Sequence, residues 1–182
     1  MNQKKNKLPL DYRNVKLNLG GGEKVLRGFL NIDVISLNGV DLVWDLNQGI
    51  PLADNSVKEV YAGHVLEHLN DTVKIMEEIY RVCKNGSLVK IKVPYFKSIG
   101  AFKDPTHKSF FTEETFRYFS KANIKNLGLP DYYLKANFET IKIAYIWSSR
   151  WLRFLPLKKK LFMKYFWNIV RTMYVELRVI KI

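Results

Sequence analysis

Hydrophobic and polar positions alternate in short runs at both ends of the chain and shift to a helical period in its middle. Val15-Lys16-Leu17-Asn18-Leu19 repeats every second residue and stops at Gly20-Gly21-Gly22, which predicts a first strand and a turn. Phe29 to Val34 predicts a second strand ending near an acid, Val40 to Trp44 a third and Val57 to Ala62 a fourth. Val73, Ile75, Met76, Ile79, Tyr80 and Cys83 then recur at helical spacing behind two capping candidates, Asn70 and Asp71, and Asn85-Gly86 predicts the stop. Ser87 to Val93 follows as an apolar, β-branched strand closed by Pro94. Thr112-Glu113-Glu114 opens a short helix with acids in its first turn, and Phe138 to Ile146 and Tyr174 to Ile182 predict a last pair of strands. Strands alternating with helices predict a mostly parallel sheet covered by helices, with function at the carboxyl ends of its strands.

The first crossover is the weak point of this pattern. Only residues 20 to 28 separate the first two strands, whereas a parallel crossover usually takes a dozen residues or more, so any helix there has about one turn.

Length and composition narrow the class. The 182 residues suit one domain, residues 1–182, and 47% hydrophobic content argues for a packed core and against disorder. A single cysteine, Cys83, excludes an internal disulfide and points to a reducing compartment. No apolar stretch follows Lys4, Lys5 and Lys7 and no uncharged apolar run reaches 18 residues, so neither a secretory signal nor a membrane span is expected. The expected location is the cytoplasm.

Charge changes the picture only where it is concentrated. The net charge is +13, yet residues 8 to 146 contribute only +2 of it. Residues 147–172, read as an insertion between the last two strands, contribute +7 through Arg150, Arg153, Lys158, Lys159, Lys160, Lys164 and Arg171 without one acid. The same segment holds Trp147, Trp151, Phe154, Phe162, Tyr165, Phe166 and Trp167. At 100° per residue from Leu157 to Arg171, Leu161, Phe162, Tyr165, Phe166 and Ile169 gather on one face and Lys160, Lys164 and Arg171 on the other. A basic amphipathic helix suits an anionic membrane surface, with peripheral attachment to the inner face of the membrane. Two other uses stay open: a helix packed on the core or in a homodimer, and a nucleic-acid contact.

The glycine cluster lets a backbone approach a ligand closely, or simply makes a tight turn. It lacks the spaced third glycine of a dinucleotide loop, since Val25 stands there, and Asp33 follows Gly20 by 13 residues where the nicotinamide pattern expects about 20. A carboxylate at the end of the second strand still fits a ribose diol.

Taken in order, Leu17-Asn18-Leu19-Gly20-Gly21-Gly22, Asn31-Ile32-Asp33, Asp45-Leu46, Ile50-Pro51-Leu52 with Asn55-Ser56, and His64-Val65-Leu66-Glu67-His68-Leu69 resemble the small class I S-adenosylmethionine-dependent methyltransferases. The likeness covers about residues 15 to 95 and is strongest to the short type-11-like branch associated with bacterial surface-sugar and lipid-linked glycan pathways. The fold it implies is α/β: a Rossmann-like, mostly parallel sheet with helices on both faces, an antiparallel last strand and a shortened first crossover. It also implies S-adenosyl-L-methionine as cofactor, with Gly20, Gly21 and Gly22 beside the methionine part and Asp33 on the ribose hydroxyls. Asp45 and Leu46 fall near the adenine amine, His64 at the pocket rim and Asn18 near the cofactor's ammonium. Two positions depart from the pattern: Asn18 replaces an acid, and Lys24 stands where a third glycine is usual.

A sulfonium cofactor supplies its own leaving group, so the protein must align the acceptor and accept its proton. Histidine suits that second task because it titrates near neutrality. His107 lies in a polar loop, Asp104 to Thr112, that resembles the family's acceptor-side lid and is the first candidate. His68 is the second, with anchoring of the local turn to Glu67 as its alternative role. No histidine spacing matches a metal motif, so no metal is expected. The expected activity is O-methylation of a sugar or lipid-linked glycan. The alternatives are nucleic-acid methylation, favoured by charge, and a catalytically degenerate interaction module, favoured by Asn18 and Lys24.

Overall fold

The computed structural model describes residues 12–128, 130, 134–149 and 159–181. Seven strands form one sheet: β1 (Val15–Leu19), β2 (Leu30–Asp33), β3 (Leu42–Val43), β4 (Val57–Gly63), β5 (Cys83–Pro94), β6 (Phe138–Trp147) and β7 (Val170–Val179). Their order is β3-β2-β1-β4-β5-β7-β6, with β7 antiparallel to both of its neighbours and every other pair parallel. The α/β Rossmann-like class and the antiparallel last strand are therefore as expected.

The helices are α1 (Thr72–Val82), α2 (Ile99–Phe102), α3 (Glu113–Arg117), α4 (Lys121–Asn126) and α5 (Lys159–Tyr165). Asp71 caps α1 by accepting from the Lys74 amide, and Ile75, Met76, Ile79 and Val82 form its buried stripe. α1 ends at Val82, short of Asn85-Gly86, because the amides of Asn55 and Ser56 donate to the carbonyls of Arg81 and Val82. Tertiary bonds stop the helix before the glycine does, and Cys83 already pairs with Val57 in the sheet.

Helices on both faces were expected, and here the described residues differ. The sheet grows in one direction from β1 to β3 and in the other from β4 to β6, so right-handed crossovers of the two halves lie on opposite faces. The second half carries α1 to α4, while the first carries turns and one short 3₁₀ segment, Leu46–Gln48. On the covered face Leu17, Leu19, Val60, Ala62, Val89, Ile91, Val175 and Leu177 are fully buried. The other face is polar. Lys16 and Lys90 each bind a different Glu59 oxygen at 2.7 Å, Lys92 lies over the Tyr61 ring, and Lys90 sits opposite Glu176. Alternation of lysine with apolar residues in Ser87 to Val93 already marks this strand as one-sided.

The first crossover contains no helix at all. Asn18 Nδ2 donates to Lys24 O and to Asn31 Oδ1, the Asn31 amide nitrogen donates to Leu26 O, Phe29 O and Asp41 Oδ2, and Leu26 N donates to Asn31 Oδ1. Two buried side-chain amides thus give the loop the hydrogen bonds that a helix would have made internally.

The basic segment also ends sooner as a helix than its periodicity suggests. α5 covers Lys159–Tyr165, Arg171 belongs to β7, and Lys97 closes the helix by donating to the carbonyls of Met163 and Lys164. Arg150, Trp151, Arg153, Phe154 and Lys158 lie outside the described residues, as does the side chain of Lys160. Met163 is the buried residue of α5, whereas Leu161, Tyr165, Phe166 and Trp167 are at least half exposed. No described helix is long and apolar enough to cross a membrane.

Candidate functional site

The carboxyl ends of β1, β2, β3 and β4 surround a cavity of about 370 Å³. β1 runs straight into Gly20, whose φ of +59° and amide bond to Ile32 O turn the chain away from the cavity. A Cβ on Gly20 would lie 2.3 Å from Val65 Cγ2, so only glycine fits. Gly20, Asp33, Asp45, Leu46 and His64 all line this cavity, as the sequence predicted for a cofactor site, and Val34, Trp44, Val65 and Leu69 supply apolar walls.

Three predicted residues stand one layer back. Gly21, Gly22 and Asn18 do not line the cavity; Asn18 is fully buried beneath the turn, with Oδ1 lacking a hydrogen-bond partner. Asp33 performs two tasks: its Oδ2 accepts from the Gly22 amide at 2.8 Å and its Oδ1 from the Ile35 amide at 3.0 Å. Each oxygen keeps a second lone pair for a hydroxyl. Asp45 caps the 3₁₀ turn through Oδ1, which accepts from the backbone and side-chain amides of Asn47 at 2.9 Å. An organised glycine turn, a strand-end carboxylate for a diol and an apolar slot fit S-adenosylmethionine. These residues would hold the ribose, the adenine and the methionine arm.

Beside it lies a polar cavity of about 380 Å³, bordered by His64, Glu67, His68, Lys103, Asp104, His107 and Arg171. His64 and His68 border both cavities. His64 sits at a φ of +57°, unusual for a side chain with a Cβ, and its Nδ1 contacts Glu67 Oε1 at 3.1 Å. His107 Nδ1 lies 2.9 Å from the Ala101 carbonyl, so that nitrogen donates and the Nε2 of the neutral ring is left with a lone pair. The Thr106 hydroxyl donates to Asp104 Oδ1 at 2.7 Å and therefore accepts from His68 Nδ1 at 2.9 Å. This network assigns both rings the same tautomer.

The two rings meet edge to face with centroids 4.7 Å apart. Sequence reasoning selected both histidines but missed their pairing, and missed Glu67, Lys103, Asp104 and Arg171. The nearest signal was Glu67 inside the His64 to Leu69 run, a carboxylate flanked by leucine and histidine where a solvated acid has no reason to be.

Residues 32–91 match a family model described as a methyltransferase domain. No curated protein matches the full sequence significantly. Among solved structures, an S-adenosylmethionine-dependent methyltransferase from Archaeoglobus fulgidus is similar at 18% identity and a TM-score of 0.55, covering 91% of this chain and 86% of that one. One from Mesorhizobium loti aligns at 10% identity and 0.56, covering 94% and 93%. The [4+2]-cyclase SpnF aligns at 15% and 0.58, covering 94% and 76%. At such identities the structures establish a shared fold, and the cyclase shows that the fold hosts more than one reaction. Over residues 32–91, from β2 into β5, the chain matches the methyltransferase family model, and its strand order gives it the fold that these S-adenosylmethionine-dependent methyltransferases share, with a cavity suited to their cofactor.

Proposed function

We propose that this methyltransferase methylates a hydroxyl oxygen of a sugar, carried on a lipid-linked glycan at the cytoplasmic surface of an anionic membrane. The observation that carries the reading is the junction of the two cavities at His64 and His68, where an acceptor in the polar cavity meets a methyl group in the other.

S-adenosylmethionine supplies a methyl group on a sulfonium whose departure leaves a neutral thioether. Lys103, Asp104 and Arg171 offer donors and acceptors to a polyhydroxylated ligand. His107 Nε2 accepts the hydroxyl proton, its ring held by the Ala101 carbonyl and the imidazolium that forms faced by Asp104 Oδ2 at 3.9 Å. His68 borders the transfer path and steadies His107 through its ring edge.

The lipid part of the reading is supported by the surface beside this cavity. Phe102 stacks on Phe110 with centroids 4.6 Å apart and lies 6.0 Å from Trp167; all three are exposed, as are Ile99, Tyr165 and Phe166. Exposed aromatics gathered from three segments, next to Lys103, Lys108 and Lys164, match an interfacial helix and its surroundings better than a solvated face.

The test is transfer of labelled methyl from S-adenosylmethionine to lipid-linked glycans in anionic vesicles, to free sugars and to RNA. The expected product is a glycan ether that resists alkaline hydrolysis, and the expected vesicle binding weakens as salt rises. Phe102→Ser with Trp167→Ser should abolish sedimentation with vesicles and leave cofactor binding intact. Labelled RNA, or a wild-type protein indifferent to vesicles at low salt, would overturn the reading.

A further inference from the structure

Glu67, His68 and His107 each present one donor atom, and the three atoms lie within 4.8 Å of one another. Glu67 is only 1% exposed, and its Oε2 has no hydrogen-bond partner. A buried carboxylate oxygen in that condition has lost its water without gaining a partner, so it calls for a cation or another donor. Both imidazoles spend Nδ1–H on oxygen acceptors, Ala101 O and Thr106 Oγ1, and so keep an Nε2 lone pair. Histidines that bind metals are commonly oriented in this way, with the second nitrogen donating to a carbonyl, carboxylate or hydroxyl.

We propose that Glu67 Oε2, His68 Nε2 and His107 Nε2 bind one divalent first-row metal ion, Zn²⁺ or Mn²⁺, at the wall of the acceptor cavity. Two imidazoles and a carboxylate are a borderline-to-hard donor set that suits such ions and leaves coordination positions open toward the cavity. Ligands at about 2.1 Å from one ion stand roughly 3.0–3.4 Å apart, so binding draws the three groups together. The loop that carries His107 is tied to the rest of the site by hydrogen bonds of the Lys108 and Ser109 amides to Glu67 O, of Lys108 Nζ to Asn70 Oδ1, of Thr72 Oγ1 to Ser109 Oγ and of His68 Nδ1 to Thr106 Oγ1, so the closing from 4.8 Å is made by the side chains.

The inference rests on these donor atoms, not on the identity of the acceptor. Its consequence for the proposed reaction is specific. An acceptor hydroxyl bound to the ion loses its proton to water more readily, and His68 and His107 then remain neutral ligands; without the ion, His107 accepts the proton itself.

The direct test is calorimetry of the full-length protein with Zn²⁺, and electron paramagnetic resonance with Mn²⁺. One ion per chain is expected. His107→Ala and Glu67→Gln should weaken it by more than the roughly 10–100-fold that loss of a supporting group costs, and Thr106→Val, which frees the His68 ring, by about that amount. S-adenosylhomocysteine binding checks that each variant is folded; where Glu67→Gln fails this check, His107→Ala carries the test. No saturable binding, or adventitious binding that these variants leave unchanged, overturns the proposal. Glycan methylation that persists undiminished in chelator, without ion binding, removes the ion and keeps the proposed function. Ion binding without turnover of any hydroxylated acceptor does the reverse.

Discussion

Replacing Asn18 with aspartate, the acid that the methyltransferase resemblance leads one to expect there, should weaken this protein rather than improve its site. Asn18 is fully buried, and its amide nitrogen donates to Lys24 O at 3.0 Å and to Asn31 Oδ1 at 2.9 Å. A carboxylate would set an oxygen against two acceptors. Lys24 is itself exposed, so its carbonyl turns to water and the lost bond costs about 0.5–1.5 kcal/mol. Asn31 Oδ1 keeps the Leu26 amide, so its loss is likewise about 0.5–1.5 kcal/mol. Together these give about 1–3 kcal/mol, a sizeable part of the roughly 5–15 kcal/mol that holds an ordinary domain folded. For a chain of this size that is a Tm lower by roughly 2–12 °C. Thermal and urea unfolding of Asn18→Asp beside the wild type measures it, with calorimetric titration of S-adenosylhomocysteine on the same samples. An unchanged Tm together with tighter cofactor binding would refute the claim that this amide is a tie for the helix-free crossover.

Three further outcomes follow from the geometry. Gly20→Ala should abolish cofactor binding, because its Cβ meets Val65, whereas Gly22→Ala, with open space at its Cβ, should cost only the left-handed backbone, about 1–2 kcal/mol, as read by urea unfolding. Glu59 is held below the usual carboxylate range by hydrogen bonds from Lys16 and Lys90, and Glu78 by its hydrogen bonds from Arg81. Because folding lowers both values, their contribution to stability is complete above about 4.5 and is lost as pH falls through the lowered values; Glu59→Gln should flatten that acid limb of unfolding free energy against pH. His107→Ala should slow the single-turnover chemical step by about 10²–10⁴-fold while leaving S-adenosylhomocysteine affinity intact, and normal single-turnover rates would remove His107 from the chemistry.

What was legible in the sequence was what depends on short range. Alternation and capping residues located β1, β4, α1 and β5 because each buries its own stripe, and the strand-end acids Asp33 and Asp45 announced themselves by position. What escaped depends on residues far apart. The helix-free crossover needs Asn18 and Asn31 from two strands, and the end of α1 is set by amides 26 residues earlier in the chain. His107 lies 39 residues beyond His68, so a search for metal spacing within one segment had no means of joining them to Glu67. The basic segment misled for a related reason. Its period continues past Tyr165, but pairing of β7 with β5 and β6 takes Arg171 into the sheet, and sheet pairing outweighs helical periodicity there.

The central claim is that the cavity at the carboxyl ends of β1 to β4 holds S-adenosylmethionine with Asp33 on its ribose. Isothermal titration of the purified protein with S-adenosylmethionine, S-adenosylhomocysteine and NAD, repeated on Asp33→Ala, tests it most directly. The account predicts saturable one-to-one binding of the first two and none of NAD. It also predicts a loss of at least about 1.5–3 kcal/mol in the variant, one charge-assisted bond to the ribose, with more where the Gly22 turn loosens as well. Absence of binding by the wild type, or equal affinity in wild type and Asp33→Ala, would contradict it.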